Sequence, residues 1–405
     1  MSHVGALKIG LSLALTGRYA SMGRQALAAL RLLVDETNGQ GGIKVGIQRL
    51  KVDLVCHDDG SQPDRCGEIY RHLCFDKGAD IILSPYGSDL VRVAGAIVEQ
   101  AGMVMVNHGG AADDIYQAGW RMVVGVLSPA SSYFEQLALL IAGLKFWRKR
   151  VALVSSPSKF AEAVIEGFRA RCSGPAIRRR GVRIRLKRVV ARRDPTTLAE
   201  IFNQIRQTRS NVLVSAGSFE EDVSLMQAAV ESSCNLPVLA CVAAGVSAFG
   251  RLMGPSADGI VGPSQWEPDA VADPELGPNS SEFARRMAAT NPAVGCDYPA
   301  AQAYAGALLA LEAVRRVGTL DQLKLRQAFN DLRTRTCYGD FAIDPTTGRQ
   351  IAHKVLLVQW HQGEKVIINP DAHSSRGEIA LPSGLHLLLA AYAKVRHTLL
   401  GRSPE

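Results

Sequence analysis

The chain has 405 residues, too long for one ordinary domain and suited to two or three. Hydrophobic residues make up 47% and charged residues 21%, near the globular average, which excludes a disordered or collagen-like chain and a membrane bundle. Lys and Arg total 46 against 38 Asp and Glu, and the net charge of +8 points to an anionic partner only where it gathers into a continuous patch.

Strands and helices alternate from the start. LKIGLSLAL reads as a buried strand, Thr16 to Gly23 as a loop, and Arg24 to Thr37 as a helix with apolar residues at helical spacing. Gly39, Gly41 and Gly42 stop it. RLKVDLVCHD is a strand and Pro63 to Lys77 a helix; DIILSPYGS is strand and loop, and Leu90 to Gln100 a helix. MVMVNHGGAADD is strand and loop, and RMVVGVLSP a further strand. This β-α-β-α-β-α-β order is that of a parallel sheet covered on both faces.

A second series begins with a helix from Tyr133 to Leu144. Then follow strand RVALVSS, helix Ala161 to Arg171, strand VRIRLKRVV, helix Thr197 to Gln207, strand NVLVSAGS, helix Glu220 to Glu231 and strands LPVLACV and DGIVGPSQW. Helices Ser280 to Ala289, Pro299 to Val317 and Leu320 to Leu332 come next. A strand pair closes the series, YGDFAID and HKVLLVQWHQGEKVIINP, with PTTG as its turn. Two similar α/β lobes followed by a return of long helices imply three crossings, near Leu127–Ser128, Gly262–Gln265 and Thr334–Tyr338. Such crossings form a hinge.

The apolar N-terminal stretch has no basic leader and is broken by Lys8 and Gly10, so it reads as a strand and not as a signal peptide. No run approaches the roughly 20 apolar residues of a membrane span, so the chain reads as soluble. The stretch near Leu385 to Ala393 runs into Lys394, Arg396 and His397 and reads as an amphipathic terminal helix. The eight cysteines have no CxxC pair and read as buried free thiols. Cys66, His72 and Cys74 approach a metal spacing but lack a fourth ligand. GxSxG, Walker A, HExxH and GxGxxG are absent. The pairs Asp58–Asp59 and Asp113–Asp114 read as loop caps, and His57 and His108 as loop histidines, with His108 a candidate to face a cleft.

Several segments carry a likeness: IGLSLALTGRYASMG, DDGSQPD at Asp58 to Asp64, SPYGSDL at Ser84 to Leu90, NHGGAADDIYQAG at Asn107 to Gly119, LSPASSYF at Leu127 to Phe134 and GPSQWEPD at Gly262 to Asp269, with DYPAAQAYAGALLALEAVRRVGTLD and YGDFAIDPTTGRQ near the end. In order and spacing the chain resembles the type I periplasmic-binding-protein family, specifically the branched-chain amino acid and amide-binding receptors of ABC transporters, from Leu7 to Pro370. The resemblance implies an α/β fold of two Rossmann-like lobes with parallel sheets. Lobe 1 is residues 1–127 with 265–335, lobe 2 is 128–264 with 336–370, and 371–405 form a tail with the amphipathic helix. It implies a receptor and not an enzyme, without cofactor or metal, that holds a small amino-acid-like, amide or aromatic carboxylate ligand between the lobes and hands it to a membrane permease. It also implies a periplasmic location and a monomer or weak dimer. A cytoplasmic amide or amino-acid sensor on the same fold, regulating gene expression, is the alternative that the missing leader keeps open.

For the ligand, Gly87 allows close backbone approach, and the hydroxyl of Ser88 with the first N–H groups of the following helix can hold a carboxylate. Capping its own helix is the other role open to Ser88. Gly109, Gly110 and Ala111 form a second small-residue loop at the same sheet edge, and Ala111 and Ala112 stand where the family often has a Thr. Tyr86, Phe160, Phe219, Trp266 and Tyr298 fall on or beside loops and are candidates to contact a ligand, Trp266 first because it follows a crossing. Trp120, Trp147 and Trp360 read as core. Amino-acid receptors of the family carry an acid in lobe 2 for the ligand ammonium; here CVAAGVSAFG places Ala244 near that position. Either Glu220 or another acid substitutes, or the ligand has no α-ammonium.

Between Lys145 and Arg193, sixteen Lys or Arg face two acids, Glu162 and Glu166, so this segment carries +14 and the rest of the chain −6. RRRGVRIRLKR reads first as an edge strand protected against pairing and second as a docking face for an acidic partner or anionic lipid. No nucleic-acid recognition motif accompanies it, so no nucleic-acid partner is expected.

Overall fold

A computed structural model describes residues 5–76, 78–144, 148–191, 194–234 and 236–368. Trp147 and the tail helix expected in 371–405 lie outside the described residues. The chain forms two units: unit 1 is Met1–Pro129 with Trp266–Lys354, and unit 2 is Ala130–Gln265 with the chain from Val355.

Unit 1 opens with β1 (Leu7–Leu13), α1 (Ala20–Gly39), the hairpin β2 (Ile43–Val45) and β3 (Gln48–Leu50), and β4 (Val52–Asp58). Then come α2 (Pro63–Phe75), β5 (Ile81–Leu83), α3 (Ser88–Ala101), β6 (Met105–Asn107) and β7 (Val123–Gly125). Every residue of β1 except Lys8 is buried, because a parallel sheet covered by helices has no solvent face. The parallel strands lie in the order β4-β1-β5-β6-β7.

Unit 2 repeats the plan with α4 (Glu135–Gly143), β8 (Lys149–Ser155), α5 (Lys159–Ser173), α6 (Pro175–Arg179), β9 (Val182–Val189) and α7 (Pro195–Thr208). It continues with β10 (Val212–Ala216), α8 (Phe219–Glu231), β11 (Val238–Cys241), α9 (Ser247–Met253) and β12 (Val261–Ser264). Side-chain caps start three of these helices: Ser158 accepts from Ala161 N–H, Asp194 from Thr197 N–H, and Ser218 forms a reciprocal box with Glu221.

The chain returns to unit 1 for α10 (Ser280–Thr290), α11 (Tyr298–Val317), α12 (Gln322–Asp331) and the pair β13 (Thr334–Thr336) and β14 (Gly339–Phe341). It ends in unit 2 with β15 (Leu356–His361) and β16 (Glu364–Ile367). The unit 2 sheet therefore reads β16-β15-β12-β11-β10-β8-β9, with β15 antiparallel to β12.

Two expectations need correction here. YGDFAID does not pair with HKVLLVQ: β14 pairs with β13, and β15 pairs with β12 and β16. The PTTG turn does form, closed by the Ile343–Gln350 bridge. The third crossing falls at 354/355, beyond the expected Thr334–Tyr338, so 336–354 belongs to unit 1. Specific bonds hold that segment there: Gly125 N–H donates to Gly348 O at 2.8 Å, Gln350 Nε2 to Val126 O at 3.0 Å, and Arg326 to Pro345 O at 3.0 Å. The first two join residues more than two hundred positions apart, which local sequence does not display.

In unit 2, α5 lies against the turn Ala130–Ser132 through Gly167, where an added Cβ would stand 2.0 Å from Ser131 O. Gly167→Ala is expected to lower stability by roughly 1–3 kcal/mol through overpacking, despite its better helix propensity. Urea unfolding that gives an unchanged or higher midpoint would contradict this packing.

Candidate functional site

The strand order of unit 1 creates a natural crevice. From β1 the chain moves to β4 on one side; from β5 onward it moves to the other side. The loops after β1 and β5 therefore diverge, and open parallel sheets bind ligands at this switch point. The loop after β1 carries Arg18 and Tyr19, and the loop after β5 carries Tyr86, Gly87 and Ser88.

Three tyrosines meet there. The rings of Tyr19 and Tyr86 lie edge to face at 5.7 Å, and the Tyr86 hydroxyl is 3.3 Å from that of Tyr298, the first residue of α11. Tyr19 donates its hydroxyl to Asp89 at 3.1 Å, Arg18 pairs with the same carboxylate, and the Arg18 guanidinium stands 4.6 Å from the Tyr19 ring centre. Burial, reinforced by the Asp89 charge, pushes the Tyr19 phenol above its ordinary value, so it stays a neutral donor. Gly87 has φ +113°, and an added Cβ would lie 2.5 Å from Tyr19 Cε2. Only glycine combines this conformation with that approach.

Ser88 is the first residue of α3 and not its cap. Its hydroxyl oxygen accepts from Ala111 N–H at 3.1 Å and from Ala112 N–H at 3.0 Å. Its lone pairs thus serve the neighbouring loop, and its proton is left to donate. The Gly109–Ala111 loop is built by other buried side chains as well. Asn107 Oδ1 accepts from Gly109 and Gly110 N–H at 3.2 and 2.9 Å, Ser84 Oγ accepts from Gly109 N–H at 3.1 Å, and Gly87 N–H donates to Gly109 O at 2.9 Å. The three amides expected to face a ligand are engaged inside the loop.

Asp58 and Asp59 knit the next loop. Asp58 accepts from Leu15 N–H at 2.9 Å and from the Thr16 hydroxyl at 2.8 Å; Asp59 accepts from the Ser12 hydroxyl at 2.6 Å and Ser61 N–H at 2.9 Å. Burial acts to raise the Asp58 carboxyl, but bonds from Gly60, Thr16 and Leu15 outweigh it and hold it below its ordinary value. Burial pushes Asp59 upward. This is loop construction and not an acid/base pair.

His108 and Trp266 occupy the core of unit 1. Trp266 is 1% exposed; its indole N–H donates to Cys337 O at 2.9 Å, and its ring meets Phe283 edge to face at 5.6 Å. Its place after a crossing suggested a loop aromatic; tertiary packing makes it a core residue instead. His108 is fully buried, its Cβ 3.3 Å from where a Cβ on Gly306 of α11 would be, and neither ring nitrogen has a hydrogen-bond partner among the described residues. Burial pushes its pKa down to about 4.

Unit 2 has the same strand plan, with its switch point between β8 and β10. Phe160 stands in the first turn of α5, after β8, edge to face with Tyr133 at 5.3 Å. Phe219 begins α8, after β10, and packs against the unit 2 core. Ala244 is buried in the turn after β11, and its carbonyl accepts from Trp360 Nε1 at 2.8 Å. Nearby, buried Asp222 accepts from Ser215 Oγ at 2.6 Å and Ala243 N–H at 3.2 Å, Glu221 binds the Ser156 hydroxyl and caps α8, and Glu220 is exposed.

Seven of the residues singled out from sequence thus come together in unit 1: Tyr86, Gly87, Ser88, Gly109, Gly110, Ala111 and Tyr298. Phe160 and Phe219 belong to unit 2. Tyr19, Ser84, Asn107 and Asp89 were missed. The switch-point rule applied to the loop after the first strand would have found Tyr19. All eight cysteines are thiols outside any disulfide, with burial lifting Cys66 and Cys172 to about 12. Among the described residues no His, Cys, Asp or Glu group is placed to hold a metal ion.

Two measurements check this geometry. Gly87→Ala is expected to cost roughly 1–3 kcal/mol from its strained φ and to displace the Tyr19 ring, visible as a lower melting temperature and altered near-ultraviolet dichroism. The His108 imidazole titrates near 6.5 when unfolded and near 4 when folded. Below pH 6.5 the unfolded chain takes a proton that the folded chain refuses. Stability is therefore full above pH 6.5 and falls toward pH 4, by roughly 3 kcal/mol for this group. His108→Leu should flatten that part of the pH profile, and an unchanged profile would contradict a buried neutral imidazole.

Residues 6–365 match the family described as Periplasmic binding protein. A Leu/Ile/Val-binding protein homolog 7 of Brucella abortus is 22% identical, the alignment covering 93% of this chain and 94% of that protein. The substrate-binding protein LivJ of Streptococcus pneumoniae, solved with isoleucine, has a TM-score of 0.75 at 16% identity, covering 93% of this chain and 100% of that one. A solute-binding protein of an ABC transporter from R. palustris, solved with benzoate, has a TM-score of 0.71 at 20% identity, covering 90% of this chain and 96% of that one. Two α/β units with parallel sheets, one switch-point site of phenols and a hydroxyl, and a family match along nearly the whole described chain agree: this chain belongs to the periplasmic binding protein family.

Proposed function

We propose that this chain is the substrate-binding receptor of an ABC importer, working in the periplasm, delivering a small carboxylate or amide ligand to a membrane permease and catalysing no reaction. The observation that carries this reading is Ser88. Its hydroxyl is fixed by two backbone donors so that its proton is left to donate, beside the amide end of α3 and the hydroxyls of Tyr86 and Tyr298. A carboxylate or amide oxygen suits that donor set. Tyr86, Gly87, Ser88, Tyr298 and the Gly109–Ala111 loop form the ligand set of unit 1, joined by Tyr19; Phe160 and Phe219 stand at the corresponding switch point of unit 2.

The ligand carries no α-ammonium. An ammonium taken out of water needs an acid, and the position where one is expected holds Ala244. Asp222 already accepts from Ser215 and Ala243, and Glu221 from Ser156 and Ser218. An aromatic carboxylate such as benzoate, or an amide, fits better than leucine. A protein of this fold has been solved with benzoate, so the fold itself accommodates an aromatic carboxylate.

A thermal-shift screen followed by calorimetry tests this. Benzoate, hydroxylated benzoates or small amides are expected to raise the melting temperature by mass action, and leucine to leave it unchanged. Ser88→Ala should weaken the bound ligand at least roughly ten-fold, since it removes the donor to the ligand and also leaves Ala111 and Ala112 N–H without their acceptor. Micromolar or tighter leucine binding would overturn the ligand class, and no response to any small molecule would overturn the receptor reading.

A further inference from the structure

The excess positive charge has one address in unit 2. α6 ends in Arg178 and Arg179, Arg180 follows, and β9 begins two residues later. β9 is the last strand of its sheet and pairs only with β8 among the described residues. Lys149, at the start of β8, donates its backbone N–H to Gly181 O at 3.3 Å and its ammonium to Arg180 O at 2.8 Å. The end of α6 is thereby held at the amino ends of β8 and β9. In the same corner Arg150 and Arg183 are register partners on neighbouring strands. Arg178, Arg179, Arg183 and Arg185 are exposed.

No acidic side chain pairs with Arg150, Arg178, Arg179, Arg180, Arg183 or Arg185 among the described residues. The two acids of the segment are engaged elsewhere, Glu166 by Arg169 and Lys187, and Glu162 by Lys159. The field is felt locally: burial first, and then the Arg180 guanidinium, lower the Lys149 ammonium.

Protection of an edge strand accounts for part of this. Arg185 is the extra residue of a bulge opposite Val151 and Ala152, and bulges and charges both deter strand pairing. Protection does not require a second arginine beside Arg183, where like charges on neighbouring strands repel, nor three more at the end of α6. An external anionic surface relieves that repulsion.

We infer that this corner of unit 2 docks on the anionic phospholipid headgroups of a membrane. The guanidinium fork matches phosphate oxygens, and a cluster of such groups binds a diffuse anionic surface additively. Residues 175–189 contain no aromatic side chain on which nucleic-acid bases could stack. The loops carrying Phe160 and Phe219 follow the carboxyl ends of β8 and β10, the opposite end of the same parallel strands, so docking leaves them uncovered. The choice of a membrane as the anionic surface rests on the receptor reading, since such a receptor works beside a membrane-embedded permease.

The test is co-sedimentation of the full chain with phosphatidylcholine vesicles, with and without phosphatidylglycerol. Binding is expected only to the anionic vesicles and should vanish at ~1 M salt, where charge interactions are screened within ~3 Å. Each arginine near such a surface is worth about five-fold in partitioning, so R178E/R179E/R183E should lose at least roughly a hundred-fold. Circular dichroism and melting temperature establish that the variant is folded, and R178K/R179K/R183K, which keeps the charge, should retain binding. No binding of the wild-type chain at low salt, equal binding by the folded charge-reversed variant, or tighter binding to duplex DNA than to vesicles would each overturn the inference. The ligand melting assay, run on the same preparations, separates the two readings. A ligand response without vesicle binding rejects the docking face alone, and vesicle binding without any ligand response rejects the receptor reading alone.

Discussion

Two backbone donors, Ala111 N–H and Ala112 N–H, converge on the hydroxyl of Ser88, and the site of unit 1 depends on that convergence. Strand-end loops have amides without ladder partners, and burying them unpaired costs more than a bond contributes. Here the cost is met from within the loops. Asn107 and Ser84 take the amides of Gly109 and Gly110, and Ser88 takes the next two. Because Ser88 opens α3, the same bonds that close the small-residue loop also set where α3 begins. A rigid loop, a helix end and a directed hydroxyl proton are thus one arrangement. Binding energy at such a site is not spent on ordering the loops.

The aromatic content of that site follows from a backbone constraint. Gly87 sits in a conformation closed to other residues and leaves room for the ring of Tyr19, which reaches Tyr86 and Asp89. The Tyr19 phenol stays neutral because burial disfavours its ionisation, so it presents a donor and a ring edge and no charge. Unit 2 commits its acids. Asp222 and Glu221 are drawn into serine and backbone bonds, and Ala244 is apolar. In unit 1 the acid at the site, Asp89, is already taken by Arg18 and Tyr19, which favours a ligand that brings its own negative charge or dipole and no cation.

The sequence carried most of the secondary structure. Alternation of apolar runs, helical spacing and glycine stops placed nearly every long element, because these signals are local and physical. The short elements escaped: the β2–β3 hairpin, α6 and α9 each have too few residues for a period to show. The last third misled most. YGDFAID and HKVLLVQ look like hairpin partners around a good turn, yet Gly348, Gln350 and Arg326 tie the first of them to unit 1 through groups on β7 and α12.

The candidate site divides in the same way. Tyr86, Gly87 and Ser88 were legible because a turn, a glycine and a helix start adjoin in one stretch of chain. Tyr19 was not, since its neighbours there are almost seventy residues away and only the strand order β4-β1-β5 brings them together. Trp266 and His108 were placed by tertiary packing in the core, where an indole finds a carbonyl and an imidazole finds no hydrogen-bond partner among the described residues. By itself the sequence determined length, fold class, the alternation of two α/β units and the location of the charge excess between Lys145 and Arg193. Only the tertiary structure decided which side chains share a sheet edge and which arginines lack an acid, because those depend on contacts between distant segments and not on local pattern.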